Sequence, residues 1–290
     1  MSGGAARLEL ERRASQAAAR LPDLLAAAHH AAEVVTAGRH PRRKPGRSDT
    51  FWQFRDYVVG DPLNTIDWRQ SARLDNRLLV RQTEWEQPQT MLLWCGGGED
   101  FDFAGEGREP KRFRGQVLSL ALAILALRGG ERVGLWGSVE PPRAGVQNVH
   151  GLAEQLLGKD IPLSLATPRE GATVILVSDF HAPTDEVAVA FEKVRHARGR
   201  AIAVVIEDPA ETDFPFQGST QFEGAKRQTR KFFGEAGAVR SAYLSEREAH
   251  FEALRAVAQG ADETIVFHRT DQPVTPLLLS LAQRIDGGLL

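Results

Sequence analysis

Apolar residues recur at helical spacing from residue 5 to residue 37, a stretch rich in Ala and Leu. Pro22-Asp23 inside it predicts a restart, giving two helices or one kinked helix. Gly38 ends the pattern. Residues 38–50 hold two prolines and two glycines among basic residues, which predicts an irregular basic loop. Residues 51–90 show no clean period. Phe51, Trp52, Phe54, Tyr57, Trp68 and Trp85 are interleaved there with charge. Gly60-Asp61-Pro62 reads as a turn, and Arg77 to Glu84 as a strand.

From residue 88 the rhythm becomes strand, helix, strand. Met91 to Cys95, Arg132 to Gly137, Thr173 to Ser178, Arg200 to Ile206 and Glu263 to His268 read as strands. Lys111 to Arg128, Val149 to Leu157 and Thr275 to Ile285 read as helices. The first is apolar on nearly all sides from Val117 to Leu127, as expected of a helix in the middle of a fold. Thr184, followed by Asp185 and Glu186, predicts a capped helix that stops at Gly199 after Arg195, His196 and Arg198. Ser245 and Glu248 form a capping-box pattern for a helix running to Gly260. Residues 208–244 fit no regular pattern and read as an irregular insertion with a hairpin. Such alternation predicts an α/β fold, a mainly parallel sheet with helices on both faces. Ligands of such sheets bind at the carboxyl ends of strands. The loops after Cys95 and Ser178 are therefore the places to inspect.

The chain has 290 residues and a mass of 31.9 kDa, enough for a sizeable core without staples. One cysteine, Cys95, excludes an internal disulfide and a cysteine-rich zinc module and fits a reducing compartment. The longest uncharged apolar run, Gln116 to Leu127, is shorter than the roughly 20 residues needed to span a bilayer. Charged residues near the N-terminus do not read as a signal peptide. The expectation is a cytoplasmic protein. Net charge is −2, but its distribution is uneven. Residues 38–81 carry ten basic and five acidic side chains, a net of +5, against −7 over the rest.

The stretch from Phe51 to Arg81 holds Phe54-Arg55-Asp56-Tyr57, Gly60-Asp61-Pro62, Ile66-Asp67-Trp68-Arg69, Ser71-Ala72-Arg73 and Val80-Arg81 in order. This resembles the signature of the bacterial domain of unknown function 58 family. The likeness extends over roughly residues 20–285, including Val177-Ser178-Asp179-Phe180 and Glu207-Asp208-Pro209. It implies a von Willebrand factor A-like domain over 88–290, a family-signature segment over 38–87 and an N-terminal helical segment over 1–37. It also implies work beside a MoxR-type AAA+ ATPase.

Domains of that fold often hold Mg²⁺ through an Asp-x-Ser-x-Ser motif after the first strand and an aspartate from a later loop. The corresponding positions here are Gly96, Gly98, Asp100 and Asp179. Glycine supplies no ligand, so the expectation is a degenerate site with no metal and no cofactor. In the less favoured alternative, Glu99, Asp100 or Asp102 joins Asp179 in a weak Mg²⁺ site. Gly96-Gly97-Gly98 lacks the lysine of a phosphate loop. Ser178, Asp179 and His181 are nearly consecutive, lack a nucleophile elbow, and read as solvated loop residues.

Arginines from 55 onward alternate with aspartates. Arg55, Asp61, Asp67, Arg69 and Arg73 are expected to form an ion network near Tyr57, with Trp68 packed beneath. Arg39, Arg42, Arg43, Lys44 and Arg47 are the candidate partner contact, because exposed charge steers association. The expected function is a non-enzymatic adaptor for a MoxR-type ATPase and an unknown client protein. The alternatives are a metal-dependent hydrolase using Asp179 and nearby acids, or a nucleic-acid binder using the basic loop. The paired charge argues against the last of these.

Overall fold

The computed structural model describes residues 3–37, 51–59, 61, 63–73, 77–83, 88–96, 98–158, 161–165, 167–224 and 230–285. The elements are α1 (Gly3–Ala37), β1 (Phe51–Asp56), α2 (Trp68–Ser71), β2 (Leu79–Thr83), β3 (Thr90–Cys95), α3 (Lys111–Arg128), β4 (Arg132–Leu135), β5 (Arg143–Ala144) and α4 (Val149–Leu157). They continue with β6 (Thr173–Ser178), α5 (Asp185–His196), β7 (Arg200–Glu207), α6 (Pro209–Asp213), β8 (Thr220–Glu223), β9 (Arg230–Phe233), α7 (Arg240–Arg255), β10 (Glu263–Arg269) and α8 (Val274–Ile285).

Two compact units result: Met1–Arg39 with Gln89–Leu290, and His40–Pro88. In the larger unit six strands lie in the order β10-β7-β6-β3-β4-β5. All neighbours are parallel except β5, which pairs antiparallel with β4. β6 (Thr-Val-Ile-Leu-Val-Ser) is buried along its whole length because both its faces are covered. Alternation divides its side chains. Ile175 and Val177 join one core with α1, α3, α4 and α8, while Val174 and Leu176 join the other with Phe191 and Phe251.

α1 is one helix with Pro22 inside it, so of the two arrangements expected there the two-helix one is not realised. It is part of the sheet unit: Leu24, Ala28, Ala31, Ala32 and Val35 form a stripe buried against that core. α3 is buried nearly all round because it lies between the sheet and α1, α4 and α8. α7 begins at Arg240 after a 3-10 turn, so Ser245 lies inside it and opens nothing. Thr184 precedes α5 but makes no side-chain capping bond. The segment after β7 holds α6 and the β8–β9 hairpin. Phe214, Phe216, Phe222 of β8 and Tyr243 of α7 form an aromatic cluster beside it.

The smaller unit is built on antiparallel β1 and β2, with a register irregularity between Phe51 and Gln53. Among its described residues Ile66, Ser71, Leu79 and Val80 are buried.

Candidate functional site

β3 leads to β4 on one side and β6 to β7 on the other, so strand order reverses between β3 and β6. The crevice at such a switch point is where doubly wound sheets place their ligands. Here the carboxyl ends of β3, β6, β7 and β10 meet around buried charge.

Lys111, the first residue of α3, is fully buried (0% exposed). Its Nζ donates to Asp179 Oδ2 at 3.0 Å and to Glu211 Oε1 at 2.6 Å, and lies 5.7 Å from the centre of the Phe103 ring. Asp179 directly follows β6, and Glu211 sits in α6 after β7. Gly115 follows one turn along α3. A Cβ there would lie 2.9 Å from Phe101 Cζ, 3.1 Å from Val177 Cγ1 and 3.2 Å from Cys95 Sγ. Only a bare backbone lets α3 settle this closely on the ends of β3 and β6, which brings Lys111 to the switch point.

Asp208 is the second hub. It N-caps α6, with Pro209 at the first helical position and a reciprocal bond from its own N–H to Glu211 Oε2. Its buried carboxylate accepts from Ala210 N (2.8 Å), Gly105 N (3.0 Å), Arg108 Nη1 (3.1 Å) and Thr270 Oγ1 (3.2 Å). Glu211 thus belongs to both hubs, since Oε1 meets Lys111 and Oε2 meets Asp208 N. The loop before α3 and the ends of β6, β7 and β10 are held by this one set of bonds. Beside it, Arg247 of α7 donates through Nε to Glu207 Oε1 at 3.0 Å and stacks over Phe251. Three cations, Lys111, Arg108 and Arg247, face four carboxylates, Asp179, Glu207, Asp208 and Glu211.

Phe180 follows Asp179 with φ of 50°, a left-handed conformation that costs a bulky residue about 1–2 kcal/mol. Its buried ring lies near Trp94, and its carbonyl accepts from His250 Nε2 at 2.7 Å. His181 is half-exposed, with Nδ1 3.6 Å from Asp179 Oδ2. His268, near the end of β10, is buried without a hydrogen-bond partner for Nε2 among the described residues. Burial first, and Arg114 beside it second, lower its pKa to about 4.

Several expectations are corrected here. Ser178 and Asp179 are not solvated loop residues, since both are buried. The acids after β3 do not join Asp179. They lie on a 3-10 turn, Glu99–Asp102, that buries Phe101 and leaves Glu99, Asp100 and Asp102 exposed. Asp102 pairs instead with Arg112 Nε at 2.8 Å. Gly96 cannot be replaced by a ligand residue without rearrangement, because a Cβ there would lie 2.5 Å from the Trp94 indole. That indole is held by its Nε1 bond to Ile161 O. Gly98 offers no side chain, and Asp179 is engaged by an ammonium. The residues present do not fit a Mg²⁺ ion. Among the described residues no group of three or more His, Cys, Asp or Glu could hold a metal.

In the smaller unit Arg55 and Asp61 form a bidentate pair at 2.6 and 2.7 Å. That bond, reinforced by Val58 N, lowers the Asp61 pKa to about 2. The rest of the expected network is not assembled. Asp67 instead caps α2 by accepting from Gln70 N, and Arg69 and Arg73 are exposed with no ion pair to any described residue. Asp56 pairs with Arg77. Trp68 is 61% exposed and does not pack beneath the pair, because Ile66 and Ser71 take the inward places. Tyr57 is partly buried, its N–H bonded to Leu78 O. Arg39, Arg42, Arg43, Lys44 and Arg47 lie outside the described residues.

A family model described as "Protein of unknown function DUF58" matches residues 53–253. The chain belongs to the DUF58 family. The match covers the Arg55–Asp61 pair and the hubs at Lys111, Asp179, Asp208 and Glu211. Uncharacterized protein Rv1480 of Mycobacterium tuberculosis and uncharacterized protein Mb1516 of Mycobacterium bovis are each 22% identical to this DUF58 chain over 275 residues. The alignments cover 88% of the chain and 86% of each relative. No solved structure matches it. Among the described residues no helix is long and apolar enough to cross a membrane.

Lys111, Glu211, Arg108 and Arg247 escaped sequence reading. A faint signal existed for two of them. Glu211 stands three residues after Asp208-Pro209, a capping-box spacing, and Lys111 opens a helix that is otherwise apolar.

Proposed function

We propose that this chain is a non-enzymatic protein-interaction module with a von Willebrand factor A-like sheet. On this reading it is a cytoplasmic adaptor for a MoxR-type AAA+ ATPase, helping it to remodel or mature a client protein. The observation that carries the reading is apolar surface left in water on the smaller unit. Val59 (94% exposed), Leu63 (66%), Val58 and Trp68 all lie within eleven residues. Exposed apolar groups concentrated in one small region mark a surface that binds protein, and an exposed tryptophan is the side chain best suited to anchor it. The basic residues 39–47 next to it in sequence would speed encounter with an acidic partner.

The sheet end supports the non-enzymatic part. Lys111, Asp179, Asp208 and Glu211 are linked to one another, the first three buried and Glu211 largely so, whereas a general base or nucleophile must reach a substrate. The doubly wound order with one antiparallel edge strand supports the von Willebrand factor A-like assignment.

The test is capture of the MoxR-type ATPase by immobilised chain. Trp68→Ala with Val59→Asp is expected to lower capture at least roughly tenfold while leaving the unfolding midpoint unchanged. The triple change of Arg42, Arg43 and Lys44 to Glu is expected to slow association and steepen with falling salt. Undiminished capture by both variants removes the docking face, and no capture by the unaltered chain removes the adaptor role.

A further inference from the structure

We infer that the Lys111 ammonium is the built-in cation of the switch point, doing for this sheet end what a bound divalent ion would otherwise do. This stands on the geometry of the sheet end and not on the adaptor reading.

A lysine at the first position of an 18-residue helix is placed against the positive end of the helix dipole. Full burial adds a desolvation cost of several kcal/mol. Neither cost is explained by packing, since a neutral side chain of the same length would fill the space without them. What the position gains is charge. Asp179, just after β6, and Glu211, in α6 after β7, come from two different elements and are themselves nearly buried, with side chains 5% and 14% exposed. Two carboxylates converging within hydrogen-bond reach of one point need a cation there. Nζ supplies it with hydrogen atoms to share between them, at 3.0 and 2.6 Å. The charge is tethered to α3, and the backbone N–H of the same residue bonds Phe103 O at 3.1 Å. The cation therefore cannot dissociate, exchange or accept a ligand from solvent. The loop before α3 and the ends of β6 and β7 are held in one arrangement whatever the divalent-ion concentration.

The consequence is that removing the ammonium should create a hard-cation site of carboxylate oxygens, the class Mg²⁺ and Mn²⁺ prefer. Thermal unfolding of the full chain tests it, with millimolar Mg²⁺, Mn²⁺ or chelator present. The unaltered chain should unfold at one midpoint in all three. Lys111→Ala should unfold about 10 °C lower in chelator and recover much of that with Mn²⁺ or Mg²⁺. Lys111→Met, which fills the space without charge, should be lowered similarly and not recover.

Three results overturn the inference: a metal-dependent midpoint or stoichiometric Mg²⁺ binding in the unaltered chain, Lys111→Met as stable as the unaltered chain, or Lys111→Ala indifferent to metal. Should Lys111→Ala not accumulate folded, refolding from urea must succeed with Mn²⁺ and fail in chelator. Failure in both conditions also overturns the inference. None of these readouts involves the ATPase, so loss of the adaptor role would leave them untouched.

Discussion

Arg55 in the smaller unit and Lys111 in the sheet unit each bond carboxylate oxygens at close distance, but water treats them differently. The Arg55 and Asp61 side chains are 35% and 18% exposed, while Lys111 is wholly enclosed. Exposed pairs are screened by water and salt and add little to stability. Enclosed ones add little net stability when intact, yet breaking one side costs about 3–5 kcal/mol. Both units leave some apolar side chains in solvent, Val139 and Phe232 of the sheet unit among them. The sheet unit hides two cores, while Val58, Val59, Leu63 and Trp68 of the smaller unit stand in solvent. One unit spends its charge on internal order. The other keeps its ion pairs at the surface.

The comparison breaks first at Asp208. Replacing it with Ala leaves Arg108, two backbone N–H groups and the Thr270 hydroxyl without their acceptor. Urea unfolding should show a loss of about 3–5 kcal/mol. A loss below about 1 kcal/mol would put this hub in the same class as the exposed pairs.

His268 gives the next largest effect. Its folded pKa, about 4, lies below the ordinary value of 6.5. The unfolded chain therefore binds more protons between these values, and stability rises with pH there. The contribution is fully present above about pH 6.5 and is lost as pH falls towards 4, by up to roughly 3 kcal/mol. Unfolding free energies measured across that window should show this slope, and His268→Gln should flatten it. An unchanged slope in that variant would assign it to other groups.

The smallest effect sharpens the comparison from the other side. Arg77→Ala removes an exposed pair with Asp56 and should leave the urea unfolding midpoint essentially unchanged. A lowered midpoint would mean that the surface charge of the smaller unit carries structure after all.

Much of the sheet was legible in the chain. Thr-Val-Ile-Leu-Val-Ser at 173–178 and Arg-Ala-Ile-Ala-Val-Val-Ile at 200–206 are dense in β-branched residues, and both are buried parallel strands. Their pattern is local, so sequence carries it. The α7 boundary was misplaced because Ser245-x-x-Glu248 imitates a capping box inside a helix whose true start, Arg240, follows a 3-10 turn. The smaller unit resisted for another reason. Alternating Arg and Asp suggested one network, but each arginine chooses among several aspartates by distance. Arg55 took Asp61 and Arg77 took Asp56.

By itself, the sequence determined the alternation of strands and helices, the family signature between Phe54 and Arg81, and the absence of side chains at Gly96 and Gly98. These are properties of neighbours along the chain. Only the tertiary structure decided that Lys111, Asp179, Asp208 and Glu211 meet. Lys111 and Glu211 are separated by 100 residues, and a lysine opening a helix reads as solvated until the elements around it are packed. Burial turns that ordinary surface residue into a fixed charge, and burial is a property of the whole fold.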